Sequence, residues 1–209
     1  MSAEYVLYCI AQSGNAYKPA LMLNLCGADW EPRKVEYFQR EVDTPEFRAK
    51  NEMGEIPVLE HEGKLLSQSG VILDYLAETL GRFGAENDEE RREILRWILF
   101  DNHKLTSYTA TLRFLTTFVE APDPGVIAFL TERSKKALGV LDRHLDAKRF
   151  TIGDRPTIAD LSMCGYLYFT DEIGVDLGSY PNIVRWLGDI QSLDGWVHPY
   201  ELMPGHPLP

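Results

Sequence analysis

Cysteine is scarce in this 209-residue chain: Cys9, Cys26 and Cys164 are the only three. An odd number cannot all pair, and their spacing fits neither a zinc site nor a Cys-x-x-Cys redox motif, so a disulfide scaffold is not expected. Cations are also in deficit, with 21 Lys and Arg against 32 Asp and Glu and a net charge of −11. That balance argues against a nucleic-acid-binding face, which needs clustered Lys and Arg. No apolar run approaches the ~20 residues of a membrane span. The opening Met1-Ser2-Ala3-Glu4-Tyr5 lacks the basic stretch and apolar core of a secretion signal. His61, His144, His198 and His206 form no metal-ligand spacing and read as surface or tail residues, so no metal is expected. A soluble, reduced, cytoplasmic protein with no nucleic-acid or membrane partner is the expectation. What is present is 44% hydrophobic, 11% aromatic and 25% charged residues. That composition can bury a core, and at ~100–200 residues per domain it makes one large domain or two small ones.

The first eighty residues alternate between strand and helix signals. Tyr5-Val6-Leu7-Tyr8-Cys9-Ile10 is a continuous apolar run, as in a strand buried on both faces. Gln12-Ser13-Gly14-Asn15 breaks it with residues that favour turns and caps. A helix is expected from Ala16 to Leu25, starting close to Tyr17 because Pro19 is tolerated only in a first turn, with Gly27 as its C-terminal cap. Arg33-Lys34-Val35-Glu36-Tyr37 alternates at period two, and parallel pairing with the first strand would make a βαβ unit. Thr44-Pro45-Glu46-Phe47 reads as a cap followed by proline at the first helical position. Val58-Leu59-Glu60 and Lys64-Leu65-Leu66 flank His61-Glu62-Gly63 as in a hairpin. Ser69 then caps a helix with Val71, Ile72, Tyr75, Leu76 and Leu80 at helical spacing, ended by Gly81. The expected order is β-α-β-α-β-β-α.

No strand pattern follows residue 85. Asp88 through Leu115 is amphipathic, with Ile94, Trp97, Ile98, Asp101 and Leu105 on one face. After Ala121-Pro122-Asp123-Pro124-Gly125 a second helix runs to about His144, with Ile127, Leu130, Ser134, Leu138 and Leu141 on one side. Thr157-Ile158-Ala159-Asp160 is a capping box opening an apolar helix, and Pro181 to about Gln191 is another helix. Pro199 to Pro209 is a proline-punctuated tail. An α/β run followed by an all-α run implies two domains. These are residues 1–81 and 88–209, the latter including the tail, with a linker at 82–87.

Three features can carry chemistry. Gly54-Glu55-Ile56-Pro57-Val58-Leu59 puts proline at the start of a strand. A cis bond there turns the Ile56 backbone outward to pair with an extended ligand; a trans bond merely starts an edge strand. Gln68-Ser69-Gly70 precedes a helix, where Ser69 either holds a carboxylate with its hydroxyl and amide or only caps the helix. Ser13 lies between the first strand and first helix, where its hydroxyl either donates to an anion or serves as a cap.

Taken together, Leu7–Gly27, Asn51–Leu59 and Gln68-Ser69-Gly70-Val71-Ile72-Leu73-Asp74-Tyr75-Leu76 resemble the N-terminal thioredoxin-like domain of cytosolic glutathione transferases. Thr157-Ile158-Ala159-Asp160 resembles the capping motif of their helical domain. The resemblance is to bacterial-type members with a serine-type or related activation turn. It implies an N-terminal thioredoxin-like domain joined to a C-terminal helical bundle, a homodimer, and glutathione as co-substrate. By this resemblance Ile56 pairs with the cysteinyl part of glutathione beside a cis Pro57. Gln68 and Ser69 hold the γ-glutamyl end, and Ser13 donates to the sulfur. The implied activity is conjugation of the glutathione thiolate to small electrophiles, a detoxification chemistry. Two alternatives stay open: a glutathione-dependent disulfide reductase or peroxidase, with Asn15 as the sulfur's partner, and a non-catalytic interaction protein of the same fold.

Departures from the family pattern matter too. Gln68 stands where many members carry an acid, so it cannot pair ionically with the γ-glutamyl ammonium. Asp101 either supplies that charge from a partner subunit or is a solvated or intrahelical acid. Ser13-Gly14-Asn15 replaces the Ser-Ser-Cys of the isomerase-like zeta class. His103-Lys104 resembles a histidine near the active site of some beta-class members, whose activating cysteine has no counterpart after Cys9. Lys34 and Arg40 are candidate sources of positive potential for an anionic ligand. Tyr108, Phe114, Tyr166 and Tyr168 either line a second-substrate pocket or are plain core.

Overall fold

Strand β1, Tyr5–Cys9, lies second in a four-stranded sheet, with neighbours on both sides. The computed structural model describes residues 3–208 and divides into two units, Met1–Gly84 with Leu193–Pro209, and Ala85–Ser192. In the first unit β1 is followed by α1 (Gly14–Leu25), β2 (Trp30–Lys34), two 3-10 turns, α2 (Pro45–Arg48), β3 (Val58–His61), β4 (Lys64–Ser67) and α3 (Ser69–Leu80). The sheet order is β2-β1-β3-β4. β1 runs parallel to β2, with Leu7 opposite Pro32, and antiparallel to β3, with Leu7 opposite Leu59; β3 and β4 form an antiparallel hairpin. Pro32 donates no ladder bond, which an edge strand such as β2 tolerates. Both turn residues of the hairpin, Glu62 and Gly63, have positive φ, as a tight primed turn requires.

The continuous apolar run of β1 follows from burial on both faces. Tyr8 joins Val35, Val42, Phe47 and Val58 in one cluster, while Leu7 and Cys9, on the other face by strand alternation, are fully buried. Each such aliphatic side chain contributes about 1.5–3 kcal/mol by burial. Helix α3 buries Ile72, Leu73 and Leu76, but Val71, expected on that face, is exposed. His61 is not a surface residue: it is buried, stacked on Tyr5 at 4.0 Å, with its Nδ1 2.7 Å from the Tyr75 hydroxyl.

Two helix starts differ from expectation. α1 begins at Gly14, so Pro19 sits inside it rather than in its first turn. Proline has no N–H, and the Asn15 carbonyl therefore lacks its usual intrahelical donor. The strand expected at residues 33–37 ends at Lys34, because the chain turns into 3-10 geometry at Tyr37–Gln39.

The tail also needs correction. The sequence assigns residues 193–209 to the helical domain, yet residues 193–208 group with the first unit. Tyr17 donates its hydroxyl to the Val197 carbonyl at 2.7 Å, Asn24 Nδ2 donates to Gly195 O at 2.7 Å, and the Ala11 N–H donates to Pro204 O at 2.8 Å. Gln12 Nε2 donates to Gly205 O at 2.7 Å. Gly205 lies so close to Ile10 that a Cβ there would come within 2.8 Å of its side chain, which requires glycine at this contact.

The second unit is helical: α4 (Asp88–Phe100), α5 (Thr106–Phe118), α6 (Pro124–His144), α7 (Ile158–Met163) and α8 (Pro181–Gln191). A π turn at Asp101–Leu105 joins α4 to α5, with the Thr106 N–H donating to the Asp101 carbonyl. The face expected from sequence, Ile94, Trp97, Ile98, Asp101 and Leu105, is buried throughout. Helix α7 is shorter than its apolar sequence suggests, but its capping box is complete. The buried Asp160 carboxylate accepts from Thr157 N–H at 2.8 Å, Thr151 N–H at 2.8 Å, Thr151 hydroxyl at 2.6 Å and Trp186 Nε1 at 2.9 Å. No helix of the described residues is long and apolar enough to cross a membrane.

Candidate functional site

Three connections of the first unit contribute: the loop into β3, the step from β4 into α3, and the turn from β1 into α1. In the first, buried Asn51 folds the loop by donating from Nδ2 to the Glu55 carbonyl at 2.8 Å and accepting from the Met53 N–H at 3.2 Å. Gly54 (φ +64°) sits against Arg48 and the Val42 carbonyl, where a side chain would collide. The Ile56–Pro57 bond is cis. Neither the N–H nor the C=O of Ile56 has a partner among the described residues, although Ile56 is only half-buried and adjoins a strand. Buried backbone groups are normally paired, so this donor–acceptor pair is open to an extended peptide.

The second connection departs from the expected cap. Gln68, not Ser69, is the residue preceding α3, and it has a left-handed φ of 67° without making a side-chain cap. A non-glycine residue in that region is uncommon and costs energy, a kind of strain that gathers at functional sites. Its side chain turns away from the helix, and Nε2 donates to Glu55 Oε2 at 3.1 Å and to Met53 Sδ at 3.2 Å. Ser69 is then the first residue of α3, where a helix cannot satisfy the N–H from within. Its hydroxyl makes no hydrogen bond among the described residues. The capping alternative for Ser69 does not hold, and its two donors stand at the positive end of a 12-residue helix.

In the third connection Ser13 does cap α1, accepting from the Ala16 N–H at 3.1 Å. A hydroxyl accepts and donates at once, so the Ser13 proton stays available to an anion. The Asn15 carboxamide makes no hydrogen bond among the described residues, and its Oδ1 is buried. Cys9, just upstream, is no nucleophile: burial pushes its thiol up to about 12.

The remaining candidates fall elsewhere. Asp101 is neither solvated nor able to reach out of its subunit: it is fully buried, with Thr106 donating to Oδ1 and Ser162 to Oδ2, each at 2.6 Å. His103 is an exposed residue of the π turn in the helical unit. Lys34 and Arg40 are paired with Glu36 at 2.7 Å and Asp43 at 2.8 Å. The sequence does not single out two side chains of the loop into β3, Asn51 and Glu55. Asn51 opens the Asn51–Leu59 stretch, but its role depends on burial, and the contact of Glu55 with Gln68 spans 13 residues. Among the described residues no group of three His, Cys, Asp or Glu is arranged to hold a metal ion.

Residues 3–78 match the model of the glutathione S-transferase N-terminal domain, and residues 124–189 match that of the glutathione S-transferase C-terminal domain. The chain belongs to the glutathione S-transferase family. Its thioredoxin-like N-terminal unit and helical second unit are that family's fold. It is 30% identical over 192 residues to a maleylacetoacetate isomerase of Rhizobium meliloti, covering 88% of this chain and 90% of the relative. It is 28% identical to elongation factor 1-gamma-B of Xenopus laevis, over 86% of this chain but only 43% of that protein. A glutathione S-transferase from Pseudomonas fluorescens superposes with TM-score 0.90 and 34% identity, covering 94% of this chain and 99% of the other. A second family member from that species, crystallised with two glutathione bound, superposes with TM-score 0.82 and 25% identity, covering 92% and 90% of the two chains.

Proposed function

We propose that this chain is a glutathione transferase that conjugates the glutathione thiolate to small electrophiles. The observation that carries the reading is the open backbone of Ile56, a donor and an acceptor with no partner beside an equally open Ser69. In this reading Ile56 pairs with the cysteinyl residue next to Pro57, and the Ser69 hydroxyl and N–H hold the γ-glutamyl carboxylate. Ser13 donates to the sulfur at the N-terminus of α1. A free thiol has a pKa near ~8.5 and the thiolate is the nucleophile. Each unit by which the pKa falls is worth ~1.4 kcal/mol of preference for the anion. The thiol proton leaves to solvent; the sulfur lone pair then forms the S–C bond as the leaving group departs with its electron pair. Ser13 need only donate, not act as base or nucleophile.

A homodimer in the cytoplasm completes this proposal. Two exposed apolar side chains of the first unit, Leu65 on β4 and Val71 on α3, support the dimer. Light scattering on the purified protein checks it, with a monomer at micromolar concentration as the contrary result. Titration calorimetry with glutathione tests the binding reading, followed by conjugation of an activated aryl chloride. No heat of binding at millimolar glutathione would move the assignment to a non-catalytic interaction protein, a reading kept in view by the sequence similarity to an elongation factor.

The unbonded Asn15 carboxamide favours one second reading, a glutathione-dependent disulfide reductase or peroxidase in which Asn15 meets the sulfur. Turnover of a mixed disulfide or hydroperoxide with no aryl-chloride conjugation, abolished by Asn15→Ala and not by Ser13→Ala, would select it.

A further inference from the structure

The γ-glutamyl end of glutathione is a free α-amino acid, with a carboxylate and an ammonium on one carbon. The inference here rests on the glutathione reading and concerns how that zwitterion is held. Ser69 offers an N–H and a hydroxyl at the positive end of α3, a potential that favours the carboxylate over the ammonium. An ammonium has three donors and no acceptor, so it needs acceptor oxygens close by, and an anionic one holds it most strongly. Gln68 has no charge, and its Nε2 is already engaged. Asp101 is enclosed, with both carboxylate oxygens occupied by hydroxyls. Glu60 accepts from the Tyr8 hydroxyl at 3.1 Å.

Glu55 is different. It directly precedes Ile56, whose backbone is open, and its Oε2 is held by Gln68, which directly precedes Ser69. Its Oε1 has no partner among the described residues, and the side chain is exposed. The carboxylate thus bridges the two parts of the site. The left-handed backbone at Gln68 forgoes a side-chain cap on α3, and its carboxamide lies against Glu55 instead. We propose that the Glu55 carboxylate receives the α-ammonium of the ligand's γ-glutamyl group, with Gln68 as the positioning residue that aims it. Specificity then extends beyond a cysteinyl peptide to one bearing a free α-amine at this end.

The test deletes the interaction from each side. Affinities for glutathione and for its analogue without the α-amine, glutaryl-cysteinyl-glycine, are measured by calorimetry on the wild-type protein and on Glu55→Gln. The substitution is isosteric at an exposed position. The expected result is that Glu55→Gln weakens glutathione about 5- to 10-fold, the scale of one charge-assisted hydrogen bond in a partly wet site. The analogue should bind both proteins equally, while KM for glutathione rises with kcat unchanged. Glu55→Asp should recover part of the affinity for glutathione alone. Equal weakening of both ligands, or of neither, overturns the assignment of Glu55 and leaves the glutathione reading standing. Wild-type protein that binds neither ligand overturns both.

Discussion

The two units spend their polar groups in opposite ways. In the helical unit Asp160 accepts five donors, from the amides and hydroxyls of Thr151 and Thr157 and the Trp186 indole, with no room for anything else. Along the edge from Ile56 to Ser69, backbone amide, carbonyl and hydroxyl have no partner among the described residues, and Gln68 holds a positive φ. A saturated buried carboxylate organises a fold, because each donor it satisfies would otherwise stand desolvated. In the proposed function, the unfilled set at this edge has its use when glutathione binds. On that proposal the contrast separates residues that hold the fold from residues that hold the ligand, though both groups read as polar residues in an apolar setting.

The sharpest break of that contrast is Asp160→Ala. It orphans several buried donors at ~1–3 kcal/mol each, so a loss of about 4 kcal/mol is expected, among the largest for a single substitution. Urea unfolding reads it out. A loss below about 1 kcal/mol would mean that the hub is not what holds Thr151, Thr157 and Trp186 together. Ser69→Ala should do the reverse: unfolding free energy unchanged within ~0.5 kcal/mol, with glutathione affinity down about 10-fold for a lost hydrogen bond to a charged group. Destabilisation with unchanged affinity would place Ser69 in the structural group instead. Ser13 straddles the divide, because it caps α1 while keeping a proton to donate. Ser13→Ala should cost about 1 kcal/mol of stability and raise the pKa of bound glutathione by about one unit, slowing turnover at acidic pH. Ultraviolet titration of the bound thiolate measures the second effect. If Asn15→Ala moves that pKa and Ser13→Ala does not, Asn15 is the activator.

The sequence made the filled half of this contrast easier to read than the open half. β1 announced itself as an uninterrupted apolar run because it is buried on both faces, and the Thr157–Asp160 box because its partners are three residues apart. Ile56-Pro57 and Ser69 were found as motifs, but whether each group was open or used depends on partners that local patterns do not contain. Ser69 read as a cap because serine usually caps; that Gln68 takes a left-handed backbone and vacates the role has no sequence signal. Asp101 falls on the apolar period of α4, and its local bond to Thr106 agrees with the intrahelical alternative, but its burial depends also on Ser162, 61 residues away. The tail was assigned by proximity in sequence, whereas its bonds return to Ala11, Gln12, Tyr17 and Asn24.

The smallest effect tests whether the helical unit responds to pH independently of the chemistry. His144 lies on Trp97 with 4.1 Å between ring centroids and has Nε2 2.8 Å from the Thr151 carbonyl. Burial pushes its pKa below the ordinary value, outweighing the bond to Thr151, and Lys148 and Arg96 push the same way. In the unfolded chain the ring titrates near ~6.5. Below that pH the unfolded state takes up a proton that the native state resists, so stability present above about pH 6.5 is lost as pH falls towards the native pKa. The half-exposed ring keeps the effect modest. In His144→Gln the decline in urea midpoint between about pH 6.5 and 5 should flatten, while the pH profile of conjugation, governed by the thiol, stays where it was. A shift of that profile would tie the two units together functionally and remove the separation drawn between them.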